Sequence, residues 1–330
     1  MFNCIDSLWE SATRKRIYRL VKPFLLMTLS FILVTACHSL EIKEAGVSQA
    51  KHPECKVVQH KLGKTCIPVN PQRIVTLNLR YLADPLLALG IKPIGTAIDI
   101  DRGQEDLSGL TSDDIEGIEN IGNASQPSLE KILRLKPDLI LAMDFAHEKI
   151  YKQLSAIAPT LLVEYKRNYS FKKNLRYLSQ VLDKEVEANK ILSQYQARIE
   201  KLRNQLNHKP QEIEVTVLIY SRGEFIITSS YHTSYEIFSD IGLSNKIIPD
   251  AGANIISLEV LSRYDADVLF IMDYDVKPKS FFFKNSLIAS LNVVKNNRAY
   301  FVDAEKWGAN GPLGVNRMLD DLFKYLPEST

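Results

Sequence analysis

The sequence predicts an α/β protein of two similar lobes with mainly parallel sheets, joined by one long rigid helix. Three observations carry that expectation. Short β-branched runs alternate with short helical stretches, a segment of 17 residues occurs twice, and one long amphipathic stretch lies between the halves. The 330 residues are 45% hydrophobic, with 41 Lys+Arg against 39 Asp+Glu and a formal net charge of +2. Disordered, collagen-like and coiled-coil classes are excluded, and the length suits about two domains. Without an extended basic run, the chain lacks the clustered charge that nucleic acid requires.

Residues 1–36 read as a targeting segment. Arg14, Lys15, Arg16, Arg19 and Lys22 form a basic flank, and Phe24 to Val34 is an apolar core. Leu33-Val34-Thr35-Ala36-Cys37 closes it with small residues before a cysteine. The pattern resembles the bacterial lipoprotein signal, in which Cys37 would become the lipid-modified first residue. The alternative is a membrane anchor, because Pro23 to Leu40 holds no charged side chain, although 18 residues sit at the lower limit for spanning a bilayer. Removing residues 1–36 leaves 294 residues and turns the net charge from +2 to −1, since the segment carries five basic and two acidic side chains.

Residues 37–69 form a polar tether with a cysteine loop. With Cys4 cleaved off and Cys37 lipidated, Cys55 and Cys66 remain, and in an exported protein such a pair reads as a disulfide contributing roughly 2 to 3 kcal/mol. The competing reading is a metal site built from His52, Cys55, His60 and Cys66, whose spacings match no standard zinc pattern.

The first lobe is expected over residues 70–170. Arg73-Ile74-Val75-Thr76-Leu77 is a buried-strand run, Asp84 to Leu89 a helix stopped by Gly90, and Ile91 to Gly95 a second strand. Ser128 is the expected N-cap of a helix to Leu135, with Glu130 in its first turn, and Asp138 to Met143 is the next strand after Pro137. The second lobe, over residues 210–330, repeats the unit. Ser128 to Asp144 aligns without gaps on Ser257 to Asp273, with seven of the 17 positions identical. Ordinary helix-strand grammar is the alternative source of that likeness. A further strand is expected at Val215 to Tyr220, followed by a helix ending at Gly242.

Residues 171–209 form the helical region between the lobes. Ala188, Leu192, Tyr195, Ile199, Leu202 and Leu206 recur at steps of three and four, which makes one apolar stripe on a helix of roughly 20 residues, stopped by Pro210. A paired coil is the alternative reading of that stripe. No Pro or Gly interrupts the helix, so it predicts small closure between the lobes.

Taken together, the chain resembles the periplasmic iron-siderophore binding proteins of ABC importers, the FecB/FhuD-like group with a helical backbone. The resemblance runs from about Cys55 to Leu326. It rests on Asn70-Pro71-Gln72-Arg73-Ile74-Val75, Leu86 to Gly95, Pro127 to Ile132, Lys136-Pro137-Asp138-Leu139-Ile140, Ala299-Tyr300-Phe301-Val302-Asp303, Trp307 and the closing helix Met318 to Leu326. It implies a ferric siderophore held in the cleft between lobes, the iron wrapped by the siderophore with no direct protein ligand and no cofactor. It further implies delivery to an ABC permease and its ATPase, a monomer, attachment to a membrane through lipid on Cys37, and a place in the periplasm or at the cell surface.

Ligand residues are expected after strand ends, where α/β sheets bind small molecules. Arg80 and Tyr81 follow the first strand, Arg222 follows its counterpart, and Tyr231 lies between Ser230 and His232. The resemblance adds Trp307. Arg and Tyr donors suit an anionic ferric complex, and aromatic surface suits its organic rim. A solvated charge is the bland alternative for each Arg, and core packing for Trp307. For permease docking the resemblance implies one acid on each lobe. Glu130 matches the first; Glu236 is taken for the second, with Asp240 and, by the internal repeat, Glu259 as alternatives.

Ser128-Leu129-Glu130-Lys131 is formally the Ser-x-x-Lys of penicillin-recognising enzymes, but no Lys-Thr-Gly or Ser-Asp-Asn accompanies it, and no enzyme is expected. The remaining alternatives are haem, cobalamin or a free divalent metal as cargo, or a lipoprotein that only scaffolds a surface complex.

Overall fold

The computed structural model describes residues 55–101, 103–165, 170–206, 209–248 and 255–326. Cys37, His52, His208 and the expected signal lie outside these residues. No described helix is long and apolar enough to cross a membrane.

The cysteine loop is a β-hairpin, β1 (Cys55–His60) antiparallel to β2 (Gly63–Pro68). The Cys55–Cys66 disulfide spans it with Cα atoms 5.4 Å apart, which removes both thiols from the alternative metal site. His60 is committed as well: its ring nitrogen shares a hydrogen bond with Thr65 Oγ1 at 2.8 Å.

The first lobe is built on β3 (Ile74–Thr76), β4 (Gly95–Thr96), β5 (Glu119–Asn120), β6 (Leu139–Met143) and β7 (Thr160–Val163). They pair all-parallel in the order β7-β6-β3-β4-β5. β6 and β7 are buried along their whole length, as parallel strands covered on both faces must be. The expected strand Ile91 to Gly95 shrinks to β4, because the Ile91 N–H turns back to the Leu86 carbonyl at 2.8 Å and closes helix α1 (Asp84–Ala88) instead of entering the ladder. Helix α2 (Leu129–Leu135) starts as expected: Ser128 Oγ accepts the Lys131 N–H, and Lys136 ends it in the left-handed conformation.

Helices α3 (Phe171–Val181) and α4 (Glu185–Gln205) lead to the second lobe. The stripe on α4 does what its spacing predicts. Ala188 packs with Leu89 and Leu175 of the first half, whereas Tyr195, Ile199, Leu202 and Leu206 enter the core of the second.

The second lobe contains β8 (Glu214–Ser221), β9 (Glu224–Ile227), β10 (Ser244–Asn245), β11 (Ile255–Ile256), β12 (Val268–Asp273) and β13 (Ala299–Val302). β12 lies parallel between β8 and β13, β10 also pairs parallel with β8, and β9 and β11 extend the sheet antiparallel. Helix α5 (Thr233–Ile241) ends at Gly242, whose φ of 92° is the left-handed cap the sequence calls for. Short helix α6 (Lys279–Phe283) follows β12, and α7 (Pro312–Tyr325) closes the chain.

The duplication holds at the level of hydrogen bonds. Asp138 precedes β6 and accepts the Gln72 and Arg73 N–H groups at 2.7 and 2.9 Å; its counterpart Asp267 precedes β12 and accepts the Glu214 N–H at 2.8 Å. One departure occurs: Leu258 to Tyr264, the copy of α2, is a 3-10 helix.

Candidate ligand-binding cleft

At its carboxyl end the first-lobe sheet meets the second lobe, and the seam between them is the candidate cleft. Arg80 demonstrates this, since it follows β3 and donates from Nη1 to the Gly308 carbonyl of the second lobe at 3.3 Å. The rest of its guanidinium is spent within the first lobe, on Ser108 Oγ at 2.6 Å and on the Asp106 carboxylate. Arg80 is therefore a paired strut at the cleft floor and not an open cation. Opposite it lie His232, which caps α5 by accepting the Ser234 N–H, and Tyr274, whose hydroxyl donates to the Ala304 carbonyl at 3.0 Å. Burial and the Arg80 charge push His232 down to about 4, so it is neutral at ordinary pH.

Tyr81 does not stand alone. Its ring meets Tyr165 edge-on at 5.2 Å and Phe145 at 6.4 Å, and Phe145 meets Tyr165 at 5.4 Å. These three residues follow β3, β6 and β7, three adjacent strands, so the sheet itself assembles an aromatic cluster on its carboxyl edge. Phe145 is 61% exposed. Burial and a hydrogen bond with Tyr165 raise the Tyr81 phenol above its ordinary range, so it is a neutral donor or acceptor there. Asp144 sets the loops: its Oδ1 accepts the Phe145 and Tyr165 N–H groups at 2.8 and 3.0 Å. Phe145 and Tyr165 were missed by sequence reasoning; the available signal was that each lies within two residues of a strand end, the criterion that selected Arg222.

Arg222 is exposed in the tight turn between β8 and β9, held by the Asp275 carboxylate, which accepts the Arg222 and Gly223 N–H groups at 2.8 and 2.9 Å. Its guanidinium makes no ion pair among the described residues. Tyr231 is 52% exposed on the segment leading to α5, next to the cleft residue His232.

Trp307 has to be corrected. It is 0% exposed in the second-lobe core, 4.6 Å from the Phe270 ring, and its Nε1 donates to Asp321 at 2.9 Å. A side chain enclosed in that way packs and cannot line a cleft. Glu236 is corrected too. Its carboxylate accepts from Ser170 Oγ at 2.5 Å and from the Phe171 N–H at 3.2 Å, so it caps α3, and Lys172 lies 3.3 Å away. Asp240 is equally engaged, by Lys172 and by the Tyr195 hydroxyl. The exposed acids are Glu130 and its repeat counterpart Glu259.

The cargo alternatives can be weighed on the same geometry. His147 uses both ring nitrogens inside the first lobe, Nε2 on the Ala124 carbonyl at 2.6 Å and Nδ1 on the backbone of Met143. Among the described residues no three His, Cys, Asp or Glu side chains group as a metal site. Ser128, of the Ser-x-x-Lys match, is a helix cap, and Lys131 Nζ donates to the Asn120 carbonyl at 2.8 Å.

Comparison with known proteins fits this geometry. Residues 74–306 match the family described as periplasmic binding protein. The chain is 31% identical over 325 residues to a putative ABC transporter substrate-binding lipoprotein, YhfQ of Bacillus subtilis, covering 93% of this chain and 98% of the relative. It is 30% identical to the Fe(3+)-citrate-binding protein YfmC of the same organism, covering 88% and 91%. Among solved structures, Staphylococcus aureus SirA complexed with staphyloferrin B superposes with a TM-score of 0.68 at 26% identity, covering 82% of this chain and 98% of that one.

Proposed function

The chain belongs to the periplasmic binding protein family, and from that premise we propose that it captures a ferric siderophore between its lobes for an ABC importer. The observation that carries the reading is the aromatic cluster of Tyr81, Phe145 and Tyr165 on the carboxyl edge of the first-lobe sheet, the edge from which Arg80 reaches the second lobe. Such a wall suits the organic rim of a chelate, and Arg222 supplies a donor fork for its anionic oxygens. The iron is cargo, wrapped by its own chelator. Lipid on Cys37 would tether the protein to a membrane at the periplasm or cell surface. A monomer would dock to the permease and its ATPase through Glu130 and Glu259, which occupy the same position in the two copies of the repeat and face solvent.

The test is fluorescence titration of the full chain in mild detergent with ferric hydroxamate, catecholate and citrate complexes, beside haem and cobalamin. Saturable quenching by a ferric complex, weakened about tenfold or more in Arg222→Ala, is the expected result. Binding of haem or cobalamin alone would redirect the assignment, and no binding by any ligand would favour a scaffold.

A further inference from the structure

Charge is unevenly spread along the chain. The expected mature chain has a net charge of −1, yet residues 276–302 carry Lys277, Lys279, Lys284, Lys295 and Arg298 and no Asp or Glu. The acids that flank this segment are turned onto backbone. Asp273 accepts the Asp275 and Lys277 N–H groups, Asp275 accepts those of Arg222 and Gly223, and Asp303 accepts the Lys306 N–H. None of the five cations makes an ion pair among the described residues.

The same segment exposes apolar surface. Val276 is 73% exposed, Phe281 42% and Phe283 36%, whereas Phe282 between the two rings is 0% exposed and anchors α6 in the second-lobe core. Cations rim this surface. The Lys277 amino group lies 6.0 Å from the Phe281 centroid and that of Lys279 5.4 Å from the Phe301 centroid, while the Phe283 and Phe301 rings meet edge-on at 5.6 Å. Lys284 is exposed next to Phe283. Exposed rings rimmed by ammonium groups fit the headgroup layer of a bilayer, where rings sit at the acyl boundary and amines meet anionic phosphates. The 18 residues from Cys37 to Cys55 span at most about 60 Å, so lipid on Cys37 would keep such a surface within reach.

We propose that Val276, Phe281 and Phe283, rimmed by Lys277, Lys279 and Lys284, form a membrane-contact surface that recognises anionic lipid headgroups. It sets which face the tethered protein turns to the bilayer, whatever the cargo. The experiment incorporates the full chain carrying Phe281→Trp from mild detergent into vesicles with brominated acyl chains, made of phosphatidylcholine alone or mixed with phosphatidylglycerol. The parent chain, with Trp9 and Trp307, sets the background. Quenching above that background is expected with phosphatidylglycerol, weak in phosphatidylcholine alone and lost in high salt. Lys277→Gln, Lys279→Gln and Lys284→Gln, each added singly, lower the ratio of engaged to free surface about fivefold. Melting temperatures stay level, because these side chains are exposed and unpaired by any acid. Quenching no greater than background with phosphatidylglycerol, as expected if the permease were the partner instead, overturns the proposal. So does equal quenching with and without phosphatidylglycerol, or full quenching when all three lysines are Gln.

Discussion

Asp84 is a fully buried carboxylate of the first lobe that caps a helix of the second. Its oxygens accept the Leu313 and Gly314 N–H groups of α7 at 2.9 and 3.0 Å, and a Cβ on Gly311 would come within 2.1 Å of Asp84 Cγ, so that neighbour must be glycine. Asp84→Ala orphans two buried donors at a helix start, and a loss of about 2 to 4 kcal/mol is expected in urea denaturation. Burial pushes Asp84 up to about 7, Arg317 opposes the rise and Asp114 adds to it. Its contribution is therefore complete below the unfolded carboxylate value of about 4 and is lost as pH rises through 7. His232, pushed down to about 4, contributes the opposite slope: stability grows as pH rises from about 4 to 6.5. Urea midpoints across this range should lose the falling component in Asp84→Asn and the rising one in His232→Gln. An unaltered profile in either variant refutes the assignment. None of this was visible in the sequence, where Asp84 only opened a helix, because its partners lie more than two hundred residues away. Arg222 was visible, since a turn after a strand is a local pattern. Trp307 misled, because aromatic character alone does not say which side of a sheet encloses it.

The β1–β2 hairpin shows what an element adds. Val58 and Ile67 join the first-lobe core, Thr65 Oγ1 donates to the Thr160 carbonyl at 3.0 Å, and Lys56 pairs with Asp183 at 2.7 Å. Replacing both Cys55 and Cys66 by Ser is expected to cost roughly 2 to 3 kcal/mol through the freed unfolded chain. That lowers the melting temperature by several degrees, whereas an unchanged midpoint would show that hairpin packing alone holds the element. At this scale the sequence spoke clearly where periodicity was long or repeated. The 17-residue repeat located β6 and β12, and the apolar stripe located α4 to within a turn. It was silent where tertiary contacts choose between equal local options. Ile91 and Ile94 read as strand yet serve the core while β4 takes up only Gly95 and Thr96. Leu258 to Tyr264 tightens to a 3-10 helix, ended by Asp265, whose carboxylate accepts the Asn292 and Val293 N–H groups from a distant loop.

Across the whole molecule, four links tie the lobes into one geometry. Helix α4 packs on both, Asp84 caps α7, Arg80 reaches the Gly308 carbonyl, and Arg317 of α7 bonds the Gly109 carbonyl and the Asp114 carboxylate at 2.8 and 2.7 Å. Closing the cleft widely would require either bending α4, which has no Pro, Gly or inserted group to relieve the broken hydrogen bonds, or pulling Asp84 out of a buried cap. Both cost several kcal/mol, and a ligand can drive closure only by as much as its differential affinity for the closed state. The lobes should therefore stay nearly fixed when ligand binds, and recognition should fall to side chains and loop tips. Solution scattering of the full chain with and without a bound ferric chelate is expected to show the same radius of gyration within error. Ser193→Pro, at an exposed position midway along α4, introduces the missing kink and should let ligand compact the molecule measurably. Large compaction of the unmodified chain would show that the helix is not the element that sets the lobe angle.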